Sequence, residues 1–153
     1  MTTVETMPTG KAAALNDLER EVRALVRRVR RQSALNARSI HPELQATAYF
    51  ILLHVFEHEP ARAAHIVDDL GIDKGAVSRK VTQLERLGLL ERTTDPLDGR
   101  ARTLVVSDLG QTRLQELERE RRSAFTGRLA SWTGPELAHL ADGLSSYNAS
   151  LEA

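Results

Sequence analysis

The architecture turns on residues 71–106, GIDKGAVSRKVTQLERLGLLERTTDPLDGRARTLVV. Gly71 supplies the left-handed residue that closes a short helix over Ala61–Leu70, and Asp73 caps a second over Lys74–Leu87 by accepting a hydrogen bond from an otherwise orphan amide. In that second helix Val77, Val81, Leu84 and Leu87 share one face. Lys74, Gly75, Ser78, Arg79, Thr82, Gln83 and Arg86 therefore point elsewhere, and the outward face is small, polar and basic. Gly88 ends the helix. Two β-like runs, Leu89–Thr94 and Thr103–Val106, then flank Asp95–Arg100, where Asp98-Gly99 signals a hairpin turn of the kind that needs positive φ.

Upstream, His41-Pro42 is expected to open a helix, since proline loses no hydrogen bond in a first turn. Its body, Leu44–Val55, is apolar on most sides and reads as the buried central helix, stopping near Glu59-Pro60. Before it, Leu15, Leu18, Val22, Leu25 and Val29 recur at alternating spacings of three and four among dense charge, the narrow seam of a helix that pairs with another. Downstream, Ser107 is placed to cap a charged helix over Asp108–Arg128. After Thr133-Gly134-Pro135 a last helix repeats the seam at Leu137, Leu140, Leu144, Tyr147 and Leu151. Trp132 is expected to pack the junction of the last two helices.

A helix, a glycine turn, a helix with a basic face and a hairpin tipped with arginine make a winged helix-turn-helix. The fold expected is mainly α with a small β-hairpin wing, the winged lobe being joined to a helical dimerisation region. The boundaries expected are 1–10 for a flexible N-terminus, 41–107 for the winged DNA-binding lobe, and 11–40 with 108–153 for the dimerisation region. Arg79 suits a guanine edge, Ser78, Thr82 and Gln83 suit bases or phosphates, and Arg100 and Arg102 suit phosphates or a narrow minor groove. Twenty-one basic and twenty-one acidic residues cancel over the whole chain, yet Lys74–Val106 holds seven basic and four acidic side chains, a local +3. Attraction for a polyanion must therefore be local.

Ala76–Arg92, the wing run Asp95-Pro96-Leu97-Asp98-Gly99-Arg100-Ala101-Arg102 and the segment Leu104–Gly110 closely resemble the MarR family of bacterial transcription regulators. The resemblance implies a cytoplasmic homodimer whose terminal helices form the dimer region and whose two lobes span a pseudo-palindromic DNA operator. It implies a repressor, often released by a small aromatic or phenolic ligand in a cleft lined here by Arg38, His41, Tyr49, Phe50, Leu53 and His54. It also implies that Asp98 braces the wing through an arginine, with Gly99 beside it as part of the wing structure.

Other classes have less support in these residues. Cysteine is absent, which removes disulfides, thiolate metal sites and thiol sensing. No phosphate-binding glycine loop or nucleophile elbow is present, so neither an enzyme nor a bound cofactor is expected. His54 and His58 lie one helical turn apart, a spacing open to a divalent metal, but no further ligand joins them at a matched spacing, and no metal site is expected. A metal-responsive regulator and a winged module used only for protein contact stay as alternatives; arginines on both the helix face and the wing tip speak against the second. The first ten residues lack a basic-then-apolar leader, and no apolar run nears the roughly 18 residues of a membrane span, so a soluble, cytoplasmic chain is expected.

Overall fold

The computed structural model describes residues 9–152. Its elements are α1 (Thr9–Ile40), α2 (Ala46–Glu57), α3 (Ala63–Leu70), α4 (Lys74–Arg86), β1 (Leu90–Thr94), β2 (Arg102–Val106), α5 (Asp108–Arg128) and α6 (Gly134–Leu151). The expected flexible stretch 1–10 lies outside the described residues as far as residue 8, and Thr9 and Gly10 already belong to α1. No helix among the described residues is long and apolar enough to cross a membrane.

The described residues divide into two compact units, 9–117 and 118–152. The core of the first is built on α2, whose Ala48, Ile51, Leu52 and Val55 are fully buried. Around them stand Ile66 of α3, Val77, Val81 and Leu84 of α4, Leu89 and Leu90 at the start of the wing, Leu104 and Val106 of β2, Ala37 and Ile40 of α1, and Leu114 and Leu117 of α5. One face of the α4 pattern thus supplies its three fully enclosed residues, as the helical period requires.

Two expected helix starts are corrected. His41-Pro42 does not open α2: the His41 amide donates to the Ala37 carbonyl at 3.1 Å to close α1, Leu44 is buried, and the helix starts at Ala46 after an extended Gln45. α3 begins at Ala63 instead of Ala61, because Ala61 bridges to Leu104, donating its amide at 3.0 Å and accepting at 2.8 Å. It thereby adds an isolated bridge on the outer side of β2 in the antiparallel wing, in which Leu90 pairs with Val106 and Thr94 with Arg102. The Glu59 carboxylate also accepts from the Val106 amide.

The wing turn lacks the positive φ expected at Asp98-Gly99. Gly71 (φ 61°) and Gly88 (φ 70°) take positive φ, whereas Gly99 does not. Seven residues, Asp95–Ala101, connect the strands, and the Asp95 carboxylate organises them by accepting from the Leu97 amide at 2.8 Å and the Asp98 amide at 3.2 Å. The arginine brace is also at Asp95, which accepts from Arg62 Nε at 2.9 Å and Nη2 at 2.5 Å. Asp98, expected to hold that arginine, instead accepts from the Arg100 amide at 3.1 Å.

α5 starts where Ser107 predicts. The Ser107 hydroxyl accepts from the Gly110 amide at 3.0 Å and donates to the Gly88 carbonyl at 2.5 Å, while the Ser107 amide donates to the Leu89 carbonyl at 3.1 Å. Gly110 lies so close beneath this junction that a Cβ there would meet the Leu89 carbonyl oxygen at 2.4 Å and Val106 Cγ1 at 2.6 Å.

The second unit holds the end of α5 and α6. The Glu136 carboxylate accepts from the Thr133 amide at 2.7 Å, fixing the start of α6 at the expected place. Apart from half-buried Leu129, every described residue from 118 to 152 is exposed. Phe125, Leu129, Leu137, Leu140 and Leu144 line an apolar groove of about 450 Å³. Trp132, expected to pack the junction of the last two helices, is 42% exposed.

Candidate nucleic-acid interface

α4 is presented by its own cap. The Asp73 carboxylate accepts from the Gly75 amide at 2.9 Å and the Ala76 amide at 2.9 Å, and these two bonds hold it below the usual Asp range. The ladder then proceeds with Val77, Val81 and Leu84 inward, which leaves Lys74, Ser78, Arg79, Thr82 and Arg86 exposed and Gly75 and Gln83 half-buried. Arg79 retains 75% of its side-chain surface and approaches Asp73 only at 4.0 Å, so its guanidinium is available for a bidentate contact. The Thr82 hydroxyl donates to the Ser78 carbonyl at 3.0 Å, a local bond that an incoming acceptor can replace.

On the wing, Arg100 and Arg102 are exposed and have no ion pair among the described residues, as is also true of Lys74. Arg92, the other basic residue of the hairpin, is tied to Glu85 at 2.8 Å. Asp95, almost completely buried, anchors the wing base; its carboxyl is held below the usual Asp range first by the Leu97 amide and then by Arg62. Two candidates from the sequence are engaged elsewhere: Gln83 Nε2 donates to the Glu43 carbonyl at 3.2 Å, and Arg86 Nη2 to the Glu43 carboxylate at 2.5 Å. Arg62, Glu43 and Asp95 were not singled out in sequence, because their partners stand 33 and 43 positions away.

The residues expected to line a ligand cleft differ in exposure. Arg38 and Phe50 are exposed, His41 and Leu53 half-buried, and Tyr49 and His54 buried. Tyr49 and Phe50 have ring centroids 5.6 Å apart. His54 Nε2 shares a 2.8 Å hydrogen bond with Asp69 of α3, and its ring stacks on His58 at 4.5 Å. This joins α2 to α3 within the winged lobe. His58 Nδ1 donates to the His54 carbonyl at 2.9 Å. A cleft of about 300 Å³ lies between α3, α4 and β1, with Val67, Val77 and Val81 at its floor and Lys74, Ser78 and Arg92 at its rim.

A family model described as the MarR family matches residues 43–101. These residues run from within the α1–α2 segment to the end of the wing turn. Over this stretch the chain is similar to the MarR family. The family is one of transcription regulators and not of enzymes. A curated relative, the uncharacterised HTH-type transcriptional regulator YxaD of Bacillus subtilis (strain 168), is 28% identical over 93 residues, 61% of this chain and 65% of the relative, so the match spans slightly less than two thirds of its length. The fold is shared with Streptococcus pneumoniae FabT in complex with DNA, at a TM-score of 0.79 and 16% identity over 90% of this chain and 97% of the other. It is likewise shared with a putative MarR family transcriptional regulator from Listeria monocytogenes complexed with 26mer DNA, at a TM-score of 0.67 and 21% identity over 86% and 87% of the two chains.

Proposed function

We propose that this chain is a regulator of the MarR type, a sequence-specific DNA-binding protein that represses by occupying a pseudo-palindromic operator as a homodimer. The observation that carries the reading is the exposed arginine set: Arg79 on α4 and Arg100 and Arg102 on the wing sit on two elements of one braced lobe. Lys74, Gly75, Ser78 and Thr82 complete the surface, with base contacts assigned to Arg79 and Ser78 and phosphate contacts to Lys74, Arg100 and Arg102. Gln83 and Arg86, held by Glu43, are assigned to the rim. Complexes of FabT and of the Listeria regulator with DNA support the same use of this fold.

The dimer assignment rests on the two apolar stripes. Leu15, Leu18, Leu25 and Val29 are each about half exposed, as are Leu140 and Leu144. Apolar stripes left exposed along a helix are the mark of a protein–protein interface. The dimerisation region is assigned to 11–40 and 108–153, and the DNA-binding lobe to 41–107.

Release by a small aromatic or phenolic acid is the finer part of the proposal, with Arg38 pairing its carboxylate or phenolate beside His41, Phe50 and Leu53, and Tyr49 and His54 behind them. The test is selection of duplexes from a random pool by the purified protein, followed by titration of salicylate-like acids into the complex. Enrichment of a two-half-site motif is expected. A pool that stays random after repeated rounds refutes the DNA reading, and acids that leave the complex intact refute the ligand reading.

A further inference from the structure

Residues 41–45, between α1 and α2, meet α4 at three points spaced three residues apart. Lys80 Nζ donates to Gln45 Oε1 at 3.0 Å, Gln83 Nε2 to the Glu43 backbone carbonyl at 3.2 Å, and Arg86 Nη2 to Glu43 Oε2 at 2.5 Å. Residues 80, 83 and 86 share a face of the helix, so the three bonds fix its rotation about its axis as well as its position. The acceptors themselves belong to a braced segment. The Glu43 amide donates to His41 Nδ1 at 3.2 Å, the Leu44 amide to the His41 carbonyl at 2.9 Å, and the Leu44 side chain is buried. The hydrogen bond from Arg86, then its charge, holds the Glu43 carboxyl below the usual Glu range, so the carboxylate stays ionised at neutral pH.

We infer that Glu43, supported by Gln45, is a positioning residue for the recognition helix: it aims Ser78 and Arg79 by holding α4 from its opposite edge. In this role Gln83 and Arg86 face Glu43 and not a base. The inference rests on the DNA reading above, but its geometry concerns α4 alone. The competing account makes Gln83 and Arg86 direct DNA contacts and Glu43 an incidental surface partner. The two accounts predict opposite signs. A carboxylate near the groove repels phosphate, so if it only competes for Arg86, its removal frees a cation and tightens binding to every duplex. If it positions α4, its removal weakens the selected duplex and leaves random sequence no weaker.

The experiment compares full-length wild type, Glu43→Ala, Glu43→Gln, Arg86→Ala and the Glu43→Ala/Arg86→Ala double variant. Each is measured against the duplex selected by wild type and against a random duplex over a range of salt, and amide exchange across α4 is measured without DNA. Expected are a loss on the order of tenfold on the selected duplex alone, the low end of what a misaimed bidentate base contact forfeits, and a double variant no worse than either single one. Arg86→Ala should leave the salt slope unchanged, and amide exchange over residues 80–87 should quicken in Glu43→Ala. Glu43→Gln keeps an acceptor for Arg86 and should remain near wild type, which separates loss of position from loss of fold. Tighter binding by Glu43→Ala, a salt slope reduced by about one in Arg86→Ala, or unchanged α4 exchange overturns the inference. Should wild type select no duplex, the DNA reading fails, and the amide exchange alone decides the positioning role.

Discussion

Adding one methyl group at Gly110 tests how tightly the wing is joined to α5. A Cβ at this position would stand 2.4 Å from the Leu89 carbonyl oxygen and 2.6 Å from Val106 Cγ1, about 1 Å inside ordinary contact. The oxygen cannot move freely, because it accepts from the Ser107 amide at 3.1 Å, and Val106 is buried in the lobe core. The first turn of α5 must therefore lift away from β2. Overpacking of this kind costs about 1–3 kcal/mol, and at roughly 2–4 °C per kcal/mol for a chain of this size Gly110→Ala should melt several degrees below wild type. The control is Gly127→Ala in the same helix, where a Cβ meets nothing within 4 Å. Higher helix propensity should there stabilise by up to about 1 kcal/mol. Thermal unfolding followed by circular dichroism at fixed protein concentration reads both variants. A Gly110→Ala protein as stable as wild type would refute the close junction, and the same sign at both sites would refute the distinction between them.

Three further outcomes are expected. Arg79→Ala should cost about 1–3 kcal/mol of operator affinity and relax one base position per half-site, whereas Lys74→Ala should weaken all duplexes alike and flatten the salt dependence; equal losses on selected and random DNA would remove Arg79 as a base reader. Asp in place of both Leu140 and Leu144 should yield monomer or insoluble protein in sedimentation, and a wild-type monomer at micromolar concentration would contradict the dimer. Asp95 titrates below its unfolded value, so its contribution to wing stability is complete above the ordinary Asp range and is lost as pH falls through the lower folded value. Asp95→Asn should therefore blunt the acid-induced rise in amide exchange at Leu97 and Asp98, and an unchanged acid profile would refute the role.

Local chemistry made much of this architecture readable. Gly71 and Asp73 delimit α3 and α4, Ser107 starts α5, and the spacing of Val77, Val81 and Leu84 told the inside of α4 from its outside, all because each signal acts within a turn or two of itself. The misreadings share the opposite property. Pro42 is compatible with a first turn, but burial of Leu44 draws the preceding segment into the core and delays α2 to Ala46. Ala61 has nothing in its own neighbourhood to mark it as the partner of Leu104, 43 positions on. Asp98-Gly99 signals a turn of positive φ, yet Asp95 binds two amides and Arg62 at once, and that network outweighs the local preference. For the same reason Glu43 was invisible as the partner of Arg86: an ion pair across 43 residues leaves no trace in periodicity.

The surface of residues 118–152, with only Leu129 half covered, has a consequence for the life of the polypeptide. A helical hairpin that encloses no side chain gains little from packing on itself, and short helices without packing are marginal in water. In the proposed dimer, completion of this hairpin is a second-order event, and its stability varies with protein concentration by mass action. A newly made copy that meets no second copy would present Phe125, Leu137 and Leu144 to proteases and chaperones. The abundance of the regulator would then have a lower threshold, below which copies are cleared faster than they pair.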